Sequence, residues 1–459
     1  MAPSTEPQPA EARRVLSLLR RHGWNATSFQ SLEAGFRYDF QGPDACVPYV
    51  DTGRAWVAAG APIASSRRLG RVAERFAASA AAQGRRAVFF ATEARFSRRT
   101  RFRNLLIGEQ PVWDPARWEA GVAENPSLRA QLRRARRKGV VVRAVAAQEV
   151  ALPEAPLRRS IDGLIGRWQA ARPLAPMGFL VDVQPFVFAE ERRYFVAEQG
   201  GVLVGFLAAI PVYARRGWLF EDLLRDPRAP NGTAELLIDT AMRAFAEQGC
   251  HYATLGLAPL AGSVTGPLGL FRRYAASLYD FRGVYAFRAK LRPQRWDPIY
   301  IATAGTRLPG VLAGSLAIYD ALAAFARGHL FQFGVATLLR GPAVVVRLLA
   351  ALLLPWTALL ALAGARHFPA PAVKWGWVAF DVVLALALFL LAARWRRWLG
   401  VVLAAAISAD AVVTAAQVAL YNLPRARGWD GLILAVATFA PAVAALILWN
   451  AVGHRRRRS

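Results

Sequence analysis

Cysteine is almost missing from this 459-residue chain: only Cys46 and Cys250 occur. They form no C-x-x-C pair and no disulfide framework, so a disulfide-stapled scaffold is excluded. Histidine is nearly as sparse. His22, His251, His329, His367 and His454 are scattered, with no H-E-x-x-H and no metal-ligand spacing, and no metal site is expected. The absence of G-K-[ST] and of G-x-G-x-x-G removes the common nucleotide-cofactor classes. Acidic residues are the minority, 31 against 58 Lys and Arg, a net charge of +27. Almost every cation is arginine, and both the first 300 residues and the remainder carry part of the excess. Such a chain suits a polyanionic partner, either nucleic acid or an anionic membrane surface.

What is present centres on residues 221–237, Glu-Asp-Leu-Leu-Arg-Asp-Pro-Arg-Ala-Pro-Asn-Gly-Thr-Ala-Glu-Leu-Leu. A strand-like run, Arg216 to Phe220, leads in; Pro230-Asn231-Gly232 makes a turn; a helix opens at Thr233. Asp222 and Arg225 precede the turn, Asn231 is placed to cap the helix, and Glu235 falls near its first turn. Two carboxylates, a guanidinium and an amide thus meet at a helix N-terminus, whose unpaired N–H groups suit an anion. The same residues also read as a capped helix with a surface ion pair.

Residues 1–10 read as a polar, Pro-rich disordered tail. No basic start precedes an apolar run, so no signal peptide is read and the first folded part is expected in the cytoplasm. Helices are expected over 11–22, 67–83, 126–139, 160–171 and 233–248, and strands over 36–40, 46–50, 54–59, 87–91, 202–212 and 252–257. Residues 95–103 are strongly basic. In 126–139, Ser127 is the expected cap and Gly139 the stop; Leu128 and Leu132 share one face. Arg129, Arg133, Arg136, Arg137 and Lys138 cover the others, as a phosphate-binding surface or a solvated face. Gln83-Gly84 and Gln248-Gly249 each end a helix before an apolar strand, a faint echo of two copies of one α/β unit.

From Pro298 to about Arg340 the chain reads as a connector. Within it Leu312 to Ala326 is apolar but carries Asp320, and is taken as an interfacial or juxtamembrane helix. Four apolar runs follow, about 343–363, 375–393, 399–421 and 430–450, each near the ~20 residues that cross a bilayer. The basic loop 394–397 and the tail 455–458 place the soluble part in the cytoplasm by the positive-inside rule. Asp381, near a run's end, and Asp410, mid-run, are given no chemistry.

Several motifs in joint order resemble one family. They are Gly35-Phe36-Arg37-Tyr38, Trp56-Val57-Ala58-Ala59-Gly60, Gly108-Glu109, Leu128 to Gly139, and Met177-Gly178-Phe179. Then come Asp222-Leu-Leu-Arg225 with Ala229-Pro230-Asn231-Gly232-x-x-Glu235, Leu255 to Leu260, and Tyr279 to Gly283 with Phe287-Arg288-Ala289-Lys290, Trp296 and Pro298. Over residues 20–300 the chain resembles the C-terminal catalytic domain of lysylphosphatidylglycerol synthases, the multiple peptide resistance factors.

The resemblance implies an α/β fold of two tandem acetyltransferase-like (GNAT-like) subdomains, 11–145 and 146–300. A connector (301–340), an all-α bundle of four transmembrane helices (341–454) and a basic tail (455–459) would follow. It implies transfer of an aminoacyl group from aminoacyl-tRNA to a lipid hydroxyl, typically phosphatidylglycerol, without coenzyme A or another cofactor, at the membrane of a bacterial cell. It puts Asp222, Arg225 and Lys290 forward as catalytic, and Asn231, Glu235 and Arg288 as substrate-binding. Members of that family generally carry a large membrane domain ahead of the catalytic domain. Here the apolar runs follow it, and are expected to anchor the enzyme at its substrate. A transferase with a soluble acceptor and a non-catalytic module binding tRNA or anionic lipid are the competing readings.

Overall fold

The computed structural model describes residues 9–172, 177–261, 281–304, 310–330, 332–333, 344–364, 368–393, 395–426 and 430–454. Tyr279 and Asp280 of the family motif, Arg394 and the basic tail lie outside the described residues. Two compact units result, Met1–Phe333 and Gly334–Ser459.

The first unit is built on one mixed sheet of twelve strands. In chain order they are β1 Arg37–Phe40, β2 Cys46–Asp51, β3 Ala55–Ala59, β4 Arg86–Glu93, β5 Arg103–Trp113 and β6 Val140–Val145. The others are β7 Arg193–Gln199, β8 Val202–Val212, β9 Gly217–Arg225, β10 Tyr252–Thr254, β11 Ala258–Pro259 and β12 Arg295–Thr303. Across the sheet the order is β1-β2-β3-β4-β12-β5-β10-β9-β8-β7-β6, with β11 paired to β5.

The helices used below are α1 Pro9–His22, α2 Leu69–Ala82, α3 Ala94–Ser97, α4 Trp118–Ala123, α5 Pro126–Arg137, α6 Gln148–Ala151, α7 Pro156–Ala170, α8 Thr233–Glu247, α9 Phe281–Ala289 and α10 Gly310–Phe325. A 3-10 helix, Ala26–Leu32, follows α1. Among the described strands, β3–β4 and β9–β10 are the parallel pairs, joined by α2 and by α8. These are the two copies behind the Gln-Gly echo: a helix ends, the chain reverses at Gly84 or Gly249, and a strand returns alongside its predecessor. This is the tandem acetyltransferase-like fold.

β8 sits inside the sheet, which explains its continuous apolar run, Val-Leu-Val-Gly-Phe-Leu-Ala-Ala-Ile-Pro-Val. On one face α8 buries Leu237, Ala241 and Phe245 against Phe195, Leu207 and Phe220. On the other, Ala26–Leu32 with α1 covers Ile210 and Leu219, and α7 covers Phe206 and Leu224.

One expectation changes here. Residues 298–303 are no connector but the second half of β12, hydrogen-bonded between β4 and β5. Leu312–Ala326 falls in α10, which packs on Val57, Val88 and Ile299 through Ala317, Ala321 and Ala324. Its lone acid faces inward: Arg86 donates to both oxygens of Asp320, at 2.8 and 2.7 Å.

The second unit is helical: α11 Val344–Leu362, α12 Pro371–Ala393, α13 Arg397–Gln417 and α14 Asp430–His454. Among the described residues three helices are long and apolar enough to cross a membrane, Pro371–Ala393, Arg397–Arg425 and Ile433–Asn450. A fourth apolar helix, Val346–Leu362, is shorter. Leu384, Leu388, Leu403, Ala404 and Leu448 form their shared core. Asp381 stands ten residues into α12 and is buried, so it is mid-helix and not near an end. Asp410 accepts a hydrogen bond from Thr414 at 3.0 Å.

Candidate active site

β9 does not stop at Phe220, as its apolar run suggests, but carries on through Arg225. Opposite β8 its register slips: Ala209 faces Phe220, Ala208 faces Asp222, and Glu221 is the extra residue. A bulge of this kind turns neighbouring side chains toward one side of a strand. Glu221 and Asp222 both face the charge of Arg192, which sits just before β7 and is wholly buried. Arg192 pairs with Glu221, donates to Glu33 at 3.2 Å, and donates from Nε to the Val187 carbonyl at 2.8 Å. Glu33 caps the end of the Ala26–Leu32 helix and is itself fully buried.

Three buried carboxyl groups thus surround one guanidinium. Glu33 Oε2, Glu221 Oε1 and Asp222 Oδ2 have no hydrogen-bond partner among the described residues. Burial, and then the neighbouring charge of Glu221, holds the carboxyls of Asp222 and Glu33 well above the usual carboxylate range against the pull of Arg192. Orphaned buried acceptors suit a ligand rich in N–H donors.

The other expected residues gather on the α8 face. Arg225 donates to Asn231 at 3.2 Å. Asn231 is not the cap; Gly232 is, at φ +98°, and a Cβ there would meet the Gln131 carbonyl oxygen at 2.3 Å. Glu235, in the first turn of α8, is buried and ion-paired with Lys290. Arg288 donates to the carbonyls of Leu255 and Gly256 at 2.7 and 3.0 Å, fixing the chain beyond β10. Leu223 packs with the α8 core and Leu224 with α7. The structure therefore joins Arg225 to Asn231 and Glu235 to Lys290, and puts Asp222 with Arg192 across the sheet from both pairs.

The basic helix α5 is capped by Asn125, which accepts from the Leu128 N–H at 3.2 Å, and not by Ser127. Leu128 and Leu132 are buried as their spacing requires. Arg133, Arg137 and Lys138 are exposed, Arg129 is half-buried, and Arg136 is held by Asp239 at 3.1 Å.

A second charged region lies where β4 ends and β9, β10 and β12 begin. It is a cleft of about 770 Å³ lined by Trp24, Arg95, Arg98, Arg99, Arg215 and Arg295, among others. Arg215 pairs with buried Glu93, and its guanidinium stacks 4.6 Å from the Trp24 ring and 4.5 Å from the Tyr252 ring. Burial raises the Glu93 carboxyl, opposed by Arg215. Trp24 lies just before the Ala26–Leu32 helix and Glu33 just after it, so one short element links the arginine cleft to the acidic cluster. Sequence reasoning missed Glu33, Arg192 and Arg215 as site residues. The one signal for the cleft was the basic run 95–103, which supplies three of its arginines.

Residues 13–303 match the family model described as phosphatidylglycerol lysyltransferase, C-terminal. The chain belongs to this family. Two solved structures share the fold of this phosphatidylglycerol lysyltransferase-type unit. One is the C-terminal domain of a putative lysylphosphatidylglycerol synthetase from Agrobacterium fabrum, 20% identical, TM-score 0.57, covering 70% of this chain and 98% of that one. The other is L-PGS from Bacillus licheniformis, 20% identical, TM-score 0.58, covering 72% and 99%. No curated protein matches. A lipid aminoacyltransferase of the lysylphosphatidylglycerol synthetase type is what this family supports. With it, the three apolar helices point to a membrane protein.

Proposed function

We propose that the protein moves an aminoacyl group from aminoacyl-tRNA to a hydroxyl of phosphatidylglycerol, with the catalytic unit on the cytoplasmic side of a bacterial membrane. The observation that carries this reading is the acidic cluster: Glu33 and Glu221 paired with Arg192, Asp222 within reach of its charge, and an unpartnered buried oxygen on each of the three carboxyl groups. An aminoacyl ester bears an ammonium group, and this cluster supplies acceptors for its N–H groups, and negative charge once a carboxyl gives up its proton. Asp222, Glu33 and Glu221 hold and orient that cation beside the reacting ester.

The lipid hydroxyl oxygen attacks the ester carbonyl; the bond from that carbonyl to the terminal ribose oxygen breaks, and the hydroxyl proton ends on the ribose. The donor is already activated, so the chain need only position, relay a proton and stabilise an oxyanion. An Asp222 or Glu33 carboxyl with a raised proton affinity is suited to the relay. Arg225, which has donors beyond its bond to Asn231, and Lys290, set by Glu235, lie across the sheet from the acidic cluster and bind substrate phosphate from the α8 side. The arginine cleft takes phosphates of the donor's 3′ end, and Arg129, Arg133, Arg136, Arg137 and Lys138 of α5 give a further surface for RNA phosphates.

Mass spectrometry of lipid extracts from cells expressing the chain tests this directly. New aminoacylated phosphatidylglycerol that vanishes in Asp222→Asn is expected, and its mass names the amino acid. Unchanged lipids from a well-expressed chain that still binds tRNA would turn the reading into that of a binding module.

A further inference from the structure

α10 presents an apolar stripe to the outside. Leu312, Tyr319 and Leu322 are 48%, 42% and 42% exposed, and Leu316 between them is half-buried. The spacing puts all four on one side of the helix, while Ala313, Ala317, Ala321 and Ala324 face the sheet. A packed surface helix ordinarily turns polar residues outward, so this stripe is unusual. Beside it lies a cleft of about 360 Å³, lined by Thr52, Arg54, Tyr319, His329 and Gln332 among others. Arg54 and Arg86 open β3 and β4 next to each other, with the Arg86 amide bonded to the Arg54 carbonyl at 3.1 Å. Arg103 opens β5 two residues before Leu105, on which Gly314 of α10 rests. Arg327 follows the helix and is exposed.

We propose that this stripe and cleft dock the catalytic unit on an anionic bilayer, with Leu312, Tyr319 and Leu322 among the outer acyl carbons and a headgroup phosphate in the cleft by Arg54 and His329. Three observations choose this occupant. Exposed Arg54 and His329 line the cleft, and Arg86 and Arg327 beside it keep donors beyond their bonds to Asp320 and Asp182, a set that favours a phosphate headgroup. An amphipathic face beside a phosphate-sized polar cleft matches the two layers of a membrane interface. The chain also re-enters apolar helix at Val344, and residues 326–343 reach at most about 60 Å when fully extended.

The docked helix is tied to the candidate active site. The Phe325 carbonyl accepts from the Gly178 N–H at 2.8 Å, and Arg327 donates to Asp182 at 2.9 Å. Asp182 is one of the charges that Asp222 feels. Seating α10 on lipid therefore fixes the segment that borders the acidic cluster. This inference goes beyond the proposed reaction, and its readout needs no transfer.

The test uses the full chain in vesicles. Cys46 is buried, so Cys250→Ser leaves a background for one reporter thiol. Leu322→Cys carries a bimane label, and exposed Glu154→Cys is the control. In phosphatidylglycerol vesicles a doxyl group on the lipid chain should quench the position-322 label, and iodide should quench it at least about threefold less than in phosphatidylcholine. The control should respond to neither change. Equal iodide access in both lipids overturns the proposal. So does protection from iodide without doxyl quenching, which means protein covers the face, a second copy or this chain's own helices. Adding Leu312→Glu should abolish doxyl quenching. Should that variant melt early, Arg54→Glu, outside the helix, serves instead and should at least halve it; full quenching with Arg54→Glu rejects the headgroup cleft.

Discussion

Glu33, Glu221 and Asp222 offer three carboxyl groups to the single guanidinium of Arg192. A carboxyl that holds its proton more tightly in the folded chain than in the unfolded one favours folding only while protonated. The contribution of these two groups to stability should therefore be fully present below the ordinary carboxylate pKa near ~4 and decline as pH rises from there through the elevated folded values of Asp222 and Glu33. Asp222→Asn should raise the melting temperature at pH 7.5 by a few degrees and flatten that decline, while lowering kcat/KM by about 10²-fold or more. Calorimetry from pH 5 to 8 beside a transfer assay checks both; a lower Tm at pH 7.5 would show that Asp222 is a structural anion. Lys290 is the contrasting case. Lys290→Ala strands the buried Glu235 carboxylate and should cost about 1–3 kcal/mol, most of it regained in the double change Lys290→Met with Glu235→Gln. Denaturant titration of the two variants separates this structural part from any loss of rate.

Among the elements, the basic face of α5 is set by its buried partners. Leu128, Leu132 and Ala135 face the core, which turns Arg133 and Arg137 outward. Replacing Arg133 and Arg137 with Gln should raise the KM for aminoacyl-tRNA and reduce the slope of log KM against log salt by about one to two. A KM and slope that match the unaltered chain would assign α5 a solvated face only. Arg136 is kept out of that pair because it also holds Asp239.

The amphipathic periods of α2, α5 and α8 and the apolar run of β8 were legible because period and burial coincide there. The Gln-Gly echo was legible because each copy ends its helix with the same turn. β12 was not. Its Pro298 hid a strand whose partners, β4 and β5, lie about 200 residues earlier. Asp320 misled in a similar way, since its partner Arg86 is 234 residues distant and nothing local marks the pair. For the site, Asp222 and Arg225 stood out as a motif. Glu33 and Arg192 gave no signal, because a lone Glu and a lone Arg acquire meaning only when the sheet brings them to the bulge in β9.

At the scale of the whole molecule, a folded sheet unit and a helical unit share one chain, and a second unit held in a membrane would change the first unit's problem from three dimensions to two. A catalytic unit held at its lipid meets substrate at an effective concentration set by the tether, and loses that advantage when the tether is cut. The separation falls near Phe333, where the chain divides into its two compact units. Residues 1–333 alone should keep kcat within a few-fold on a water-soluble glycerol phosphodiester acceptor, because every residue assigned to the reaction lies before that point. With phosphatidylglycerol vesicles the same fragment should need about 10²-fold more lipid to reach half its maximal rate, and that deficit should grow with salt as the arginine-lined contacts weaken beside the apolar stripe of α10. Rates for the fragment and the full chain on soluble and vesicular acceptors decide it. A fragment that equals the full chain on vesicles would leave the helices without an anchoring role. One that fails on the soluble acceptor as well would place part of the reaction's machinery in the helical unit.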